Sequence, residues 1–119
     1  MKILIIDDNQ FLASILKRVL EEEGYEVKSA KDGEEGYLTY LLFRPDLVIT
    51  DIQMPGQNGL EMMKIIRRHN PMVRTIYMSG DPRKFWSPLE KEKELYRASF
   101  LEKPFTTTEL MSVVSAFSD

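Results

Sequence analysis

A doubly wound α/β domain, one parallel sheet of five strands with five helices, is the fold class predicted by this sequence. Three observations carry the prediction. Short continuous apolar runs, such as Ile3 to Ile6 and Leu47 to Thr50, have the make-up of strands buried on both faces. Between the runs, apolar residues recur at helical spacing, so strand-like and helix-like stretches alternate along the chain without a repeat, linker or low-complexity segment. The runs end on polar residues, and in open α/β sheets the crevice beyond the carboxyl ends of the strands is where ligands bind. Right-handed crossovers then place helices on both faces.

Ile3-Leu4-Ile5-Ile6 reads as a central strand that ends on Asp7-Asp8-Asn9. From Gln10 the period becomes helical, with Leu12, Ile15, Leu16, Val19 and Leu20 on one face and Gly24 as the stop. Tyr25 to Ala30 alternates more, as an edge strand with one wet face does. Asp32 and Glu35 have the spacing of an N-cap and its N3 partner, and Tyr37, Leu38, Leu41 and Leu42 make the apolar face of a second helix that Pro45 ends. Leu47 to Thr50 delivers Asp51 to a strand tip, and Pro55-Gly56 forces a turn.

Asn58 and Glu61 open a third helix with Leu60, Met63 and Ile66 inward, closed by His69-Asn70-Pro71. His69, the only histidine, stands beside Arg67 and Arg68 and is read as a solvated residue with no role. Val73 to Met78 is the fourth strand, ending at Ser79-Gly80-Asp81. The next segment is less regular. Pro82 could open a helix, but Ser87 as N-cap, Pro88 at N1 and Glu90 at N3 make a better start and predict a late one, and Leu89, Leu95 and Tyr96 are the only apolar anchors of a charged body. This helix is expected to be the least firmly packed. Ser99 to Glu102 is a short fifth strand leading to Lys103-Pro104, and Thr106 with Glu109 forms a capping box for a last helix carrying Leu110, Val113, Val114 and Phe117 inward.

Composition narrows the function classes. The 119 residues suit one hydrophobic core, 43% are hydrophobic and 29% charged, and no apolar run nears the ~20 residues of a membrane span. The apolar run before the first aspartates, Ile3 to Ile6, is too short for the apolar core of a signal peptide, so a cytoplasmic location without membrane attachment is expected. With no cysteine, disulfides, thiolate metal sites and thiol nucleophiles are excluded. The net charge of −3 argues against direct nucleic-acid binding.

Asp7 and Asp8, Asp51, Ser79 and Lys103 all fall at predicted carboxyl ends of strands. Three carboxylates in one crevice repel unless a cation intervenes. Oxygen donors alone, without cysteine or a nearby histidine, favour Mg2+ over zinc, and Mg2+ readily engages phosphate oxygens. A carboxylate can itself attack phosphorus to form an aspartyl phosphate. Ser79 and Lys103 then supply a hydrogen-bond donor and a cation for the phosphoryl oxygens.

On the landmarks Ile5-Ile6-Asp7-Asp8-Asn9, Thr50 to Leu60, Met78-Ser79-Gly80 and Lys103-Pro104-Phe105, the chain resembles the receiver domain of two-component response regulators over essentially its whole length. The resemblance implies a flavodoxin-like strand order 2-1-3-4-5 and a single receiver domain over residues 1–119 with no output domain. It makes Asp51 the phosphoacceptor. Asp8, Asp51 and the backbone carbonyl of Gln53 would bind Mg2+, with Asp7 acting mainly through a bound water. Lys103 would pair with Asp51 and later its phosphate, Ser79 would move toward the phosphoryl group, and Phe100 would reorient as an aromatic switch. The peptide before Pro104 is expected to be cis.

A sensor histidine kinase or histidine phosphotransfer protein is the implied phosphodonor. The implied output is a change in the face of helix 4, strand 5 and helix 5 that controls a protein partner or a fused output domain, and it admits a phosphorylation-dependent dimer. Such a domain promotes its own phosphorylation and dephosphorylation and has no separate substrate. The alternative is a receiver-like interaction module that no longer cycles phosphate. A haloacid-dehalogenase-like hydrolase would need an acid where Gln53 stands. The segment from Asp81 to Ser99 departs from the family pattern: it is slightly long, and Arg83, Lys84, Phe85 and Trp86 stand in place of the small, glycine-containing approach to strand five that many receivers show. Gln53 and Asp81 occupy positions resembling those that tune phosphate lifetime. Phe85 and Trp86 are read as either core plugs or an exposed recognition patch.

Overall fold

The computed structural model describes residues 1–117. In chain order the elements are β1 (Lys2–Ile6), α1 (Gln10–Glu22), β2 (Glu26–Ala30), α2 (Gly33–Phe43), β3 (Leu47–Asp51), α3 (Gly59–His69), β4 (Arg74–Ser79), a 3-10 turn (Pro82–Phe85), α4 (Trp86–Leu95), β5 (Ala98–Glu102) and α5 (Thr107–Ser115). The strands are parallel in the order β2-β1-β3-β4-β5, the doubly wound topology that the alternating pattern predicts.

Successive strand residues point to opposite faces, so each strand feeds two cores. Ile3, Ile5 and Ile49 pack with Leu16, Leu20, Leu110 and Val114 on the α1 and α5 side. Leu4, Ile6 and Val48 pack with Tyr40, Ile66 and Leu89 on the other. Edge strand β2 alternates as expected, with Glu26 and Lys28 exposed and Val27 and Ala30 buried. The caps read from the sequence form at three helix starts, Asp32, Asn58 and Thr106, and Asn9 caps α1 as well; each accepts a bond from a backbone N–H in the first turn. Thr106 and Glu109 complete a capping box. In α2 the Glu35 carboxylate accepts from Lys31 N–H instead of that of Asp32.

Three expectations are corrected. The apolar face assigned to α2 points the wrong way. Leu38, Leu41 and Leu42 are exposed and Tyr37 is half-buried, while Gly33, Gly36, Tyr40 and Phe43 face the sheet. The glycines decide this, because they let the helix approach closely: a Cβ on Gly36 would lie 2.7 Å from Ile6 Cδ1. Secondly, α4 begins at Trp86 and not after Ser87, since the 3-10 turn runs directly into it and Ser87 caps nothing. Pro88 is tolerated as the third helical residue because N–H groups of the first turn have no intrahelical partner. Thirdly, Leu95 is exposed and does not anchor α4; Leu89 and Glu92 are its buried residues. Phe85 and Trp86 divide between the two readings, Phe85 packing partly against the core and Trp86 remaining 56% exposed.

Arg67 and Glu92, both placed by sequence among solvated charges, are buried together. The guanidinium pairs with the Glu92 carboxylate, donates to Thr75 Oγ1 at 3.0 Å and to the Tyr77 hydroxyl at 3.4 Å, and lies 4.0 Å from the Tyr96 ring. Tyr77 in turn donates to Glu92. Burial first, and then the Glu92 charge, hold the Tyr77 phenol in its protonated form despite the opposing Arg67. The network ties α4 to α3 and β4. Removing one member of a buried pair strands the other charge, so Glu92→Ala is expected to cost about 3 kcal/mol of stability, measured by urea denaturation. The double variant Arg67→Met/Glu92→Leu is expected to lose much less. A loss for Glu92→Ala no larger than that of a surface substitution would mean that the pair is effectively solvated.

Candidate functional site

The carboxyl ends of β1 and β3 are adjacent in the sheet, since Ile6 pairs with Thr50. The residues that follow, Asp7 and Asp51, therefore emerge side by side. Asp7, Asp8 and Asp51 each offer a carboxylate oxygen, and these atoms lie within 4.8 Å of one another. Asp7 is fully buried, Asp51 is 8% exposed and Asp8 opens to solvent.

Backbone bonds fix this corner. Asp7 N–H donates to Ala30 O, its Oδ1 accepts from Asn9 N–H at 2.9 Å, and the Gln10 amide donates to its carbonyl at 2.6 Å. Thr50 Oγ1 donates to the Asp51 carbonyl at 2.9 Å. Gly59, the first residue of α3, passes so close that a Cβ there would lie 2.3 Å from the Asp51 carbonyl oxygen. Only a residue without a side chain fits there. Gly59 stands within the Thr50 to Leu60 landmark, but its contact is with backbone and no spacing rule points to it.

Lys103 reaches in from the end of β5. Its Nζ donates to Asp7 Oδ2 at 3.0 Å and to Asp51 Oδ2 at 3.4 Å, so it bridges both acids, where the sequence reading paired it with Asp51 alone. Its peptide bond to Pro104 is cis. Lys103 N–H donates to Ser79 O at 2.8 Å, which docks this turn onto the tip of β4. Ser79 is buried, and its Oγ accepts from Asp81 N–H at 3.0 Å, leaving the hydroxyl proton uncommitted to that bond. Gln53 is exposed, two residues beyond Asp51 in the loop toward Pro55-Gly56. Phe100 is half-buried in β5, opposite Tyr77 and two residues before the pairing of Ser79 with Glu102. His69 is exposed, away from these acids, with Nε2 2.8 Å from the Tyr37 hydroxyl.

The electrostatics follow from burial. Desolvation pushes the Asp51 carboxyl from its ordinary 3.8 up to about 6, Lys103 opposes this, and the Asp7 and Asp8 charges add to it. For Lys103, burial alone would favour the neutral amine, but the hydrogen bond to Asp7 and the charges of Asp51 and Asp7 outweigh it and hold the ammonium above its ordinary value. One cation faces three carboxylates, a residual charge of −2 that favours a divalent ion. The donor set fits Mg2+: it is all oxygen, and Asp8 leaves an open side where a reluctantly dehydrating ion can keep its waters.

Comparison with known proteins agrees with this geometry. The family model of the response regulator receiver domain matches residues 3–115. The alkaline phosphatase synthesis transcriptional regulatory protein PhoP of Bacillus subtilis is 31% identical over 115 residues, which are 97% of this chain and 47% of that protein. The chain thus spans about half the length of that relative. Among solved structures, the chemotaxis protein CheY4 of Vibrio cholerae superposes with a TM-score of 0.85 at 26% identity, covering 98% of this chain and 97% of that one. The response regulator TrrA of Thermotoga maritima, solved in complex with Mg2+ and BeF, does so with a TM-score of 0.83 at 33% identity, covering 98% and 97%. The chain belongs to the response regulator receiver domain family.

Proposed function

We propose that this domain is a phosphorylation-switched signalling receiver in which Asp51 takes a phosphoryl group from a phosphohistidine of a sensor kinase or phosphotransfer protein. The observation that carries this reading is the convergence of Asp7, Asp8 and Asp51 with Lys103 at one sheet edge. In the transfer an Asp51 carboxylate oxygen forms a bond to phosphorus as the bond from phosphorus to the donor nitrogen breaks. Burial makes Asp51 more basic than an ordinary aspartate while leaving it largely ionised at neutral pH, which suits a nucleophile.

Asp7, Asp8 and Asp51, with the backbone carbonyl of Gln53, would hold Mg2+, which when bound offsets carboxylate charge and the charge of transferring phosphoryl oxygens. Lys103 supplies the fixed cation on the other side of Asp51. The Ser79 hydroxyl donates to a phosphoryl oxygen once the group is in place, and Phe100 follows as β4 and β5 adjust. The output is a changed face of α4, β5 and α5, where Trp86 and Leu95 already stand exposed, read by a downstream protein or a fused output domain. Residues 1–119 act as one receiver domain with no separate substrate and no nucleic-acid contact of their own. Among the described residues no helix is long and apolar enough to cross a membrane, and a cytoplasmic location suits a kinase partner.

Incubation with acetyl phosphate and Mg2+ is expected to add one phosphoryl group by intact-protein mass spectrometry. Mg2+ alone is expected to raise the thermal midpoint, with a stabilisation of about 2.7 kcal/mol at 100-fold excess over Kd. Asp8→Asn is expected to remove most of that response. A domain that no longer cycles phosphate would show neither labelling nor Mg2+ stabilisation.

A further inference from the structure

The face of α2 that turns away from the sheet carries Leu38, Leu41 and Leu42, which are 54%, 37% and 88% exposed. They contribute little to the core, because Gly33, Gly36, Tyr40 and Phe43 fill that side of the helix. The charge around this stripe changes sign from end to end. Asp32, Glu34 and Glu35 outnumber Lys31 at its start, and Arg44 follows its end beside Leu41, where the Asp46 carboxylate accepts from Lys2 N–H. Lys17 and Lys28 line the shallow hollow next to Leu42 and Phe43. A surface that is acidic at one end, apolar in the middle and basic at the other complements itself when turned end for end. In a parallel alignment like charges would meet.

We propose that α2 is a homodimer interface, two copies packing their α2 helices antiparallel across a two-fold axis. Glu34, Leu38 and Leu41, spaced four and three residues apart, share one exposed face, and Arg44 lines the same hollow as Leu41, so an antiparallel pair centred near Thr39 brings the leucine stripes together and sets Glu34 near Arg44 at both ends. This self-complementarity is what an isologous interface requires. The stripe contains none of Asp7, Asp8, Asp51 or Lys103, so association does not depend on the phosphoryl group. Three leucines make a small patch, and the affinity belongs in the range of tens of micromolar, roughly that of weak transient contacts.

Sedimentation velocity over about 5 to 500 µM tests this. The mass of the wild-type chain is expected to climb from one chain toward two, and Asp51→Asn to behave identically. Leu42→Glu, at a position too exposed to disturb the core, is expected to stay monomeric with an unchanged circular dichroism spectrum. Arg44→Glu is expected to weaken association about tenfold, and the double reversal Glu34→Lys/Arg44→Glu to restore most of it. A wild-type chain monomeric at every concentration would overturn the proposal, as would a dimer indifferent to Leu42→Glu or one formed only with a phosphodonor present.

Discussion

Asp51→Asn is expected to abolish phosphoryl incorporation and, in metal-free buffer, to stabilise the resting fold by roughly 2–3 kcal/mol at neutral pH. Both effects come from one carboxylate. An amide cannot form the acyl phosphate, so labelling vanishes and is not merely slowed. The stabilisation arises because burial raises Asp51 from 3.8 to about 6, so its charged form is disfavoured in the fold relative to the unfolded chain. The sign follows directly. Between those two values the folded state binds more protons than the unfolded one, so this residue's contribution to stability falls as pH rises through that window. Its penalty is complete above about pH 6 and absent below about pH 4. The gap between wild type and Asp51→Asn in urea midpoint is therefore expected to be large at neutral pH and to close on acidification. A gap that stays constant with pH would mean that Asp51 titrates as an ordinary surface acid.

Lys103→Met is expected to slow labelling by acetyl phosphate about 100-fold, the scale on which one fixed electrostatic group acts in such transfers. The same variant is expected to bind Mg2+ more tightly, by about tenfold, because the ammonium that bridges Asp7 and Asp51 repels an incoming cation. The opposite signs of the two effects are the diagnostic part. A merely structural lysine would lower both, whereas a lysine dedicated to the phosphoryl group lowers the rate and releases the metal site. Stopped-flow labelling and isothermal titration separate the two quantities.

The sheet and the acidic corner were legible in the sequence because their signals are local. An apolar run followed at once by a carboxylate marks a strand tip, and the doubly wound topology sets the tips of β1 and β3 next to each other. Caps were legible for the same reason, since Asp32 to Glu35 and Thr106 to Glu109 span single turns. What was not legible depends on distance or on missing atoms. The buried face of α2 is set by Gly33 and Gly36, whose contribution is the side chain they lack, so counting large apolar residues selected the solvent face. Arg67 and Glu92 lie 25 residues apart and pair only because α3 and α4 pack on the same side of β4. Each alone reads as a solvated charge on a helix. Lys103 bridging two acids, with the shorter contact to Asp7, likewise needs the third dimension. The early start of α4 follows from the 3-10 turn that feeds it, a junction that overrides the cap-like Ser87-Pro88.

The central claim is that Asp51 carries the phosphoryl group, and chemical trapping addresses it most directly. Labelling with acetyl phosphate and Mg2+ followed by borohydride reduction converts an aspartyl phosphate to homoserine, which peptide sequencing by mass spectrometry then locates. Homoserine at position 51, with Asp7, Asp8 and Asp81 unchanged, is the result this account predicts. Homoserine at any of those other aspartates, or a phosphoryl group that resists reduction because it sits on a hydroxyl, would contradict it.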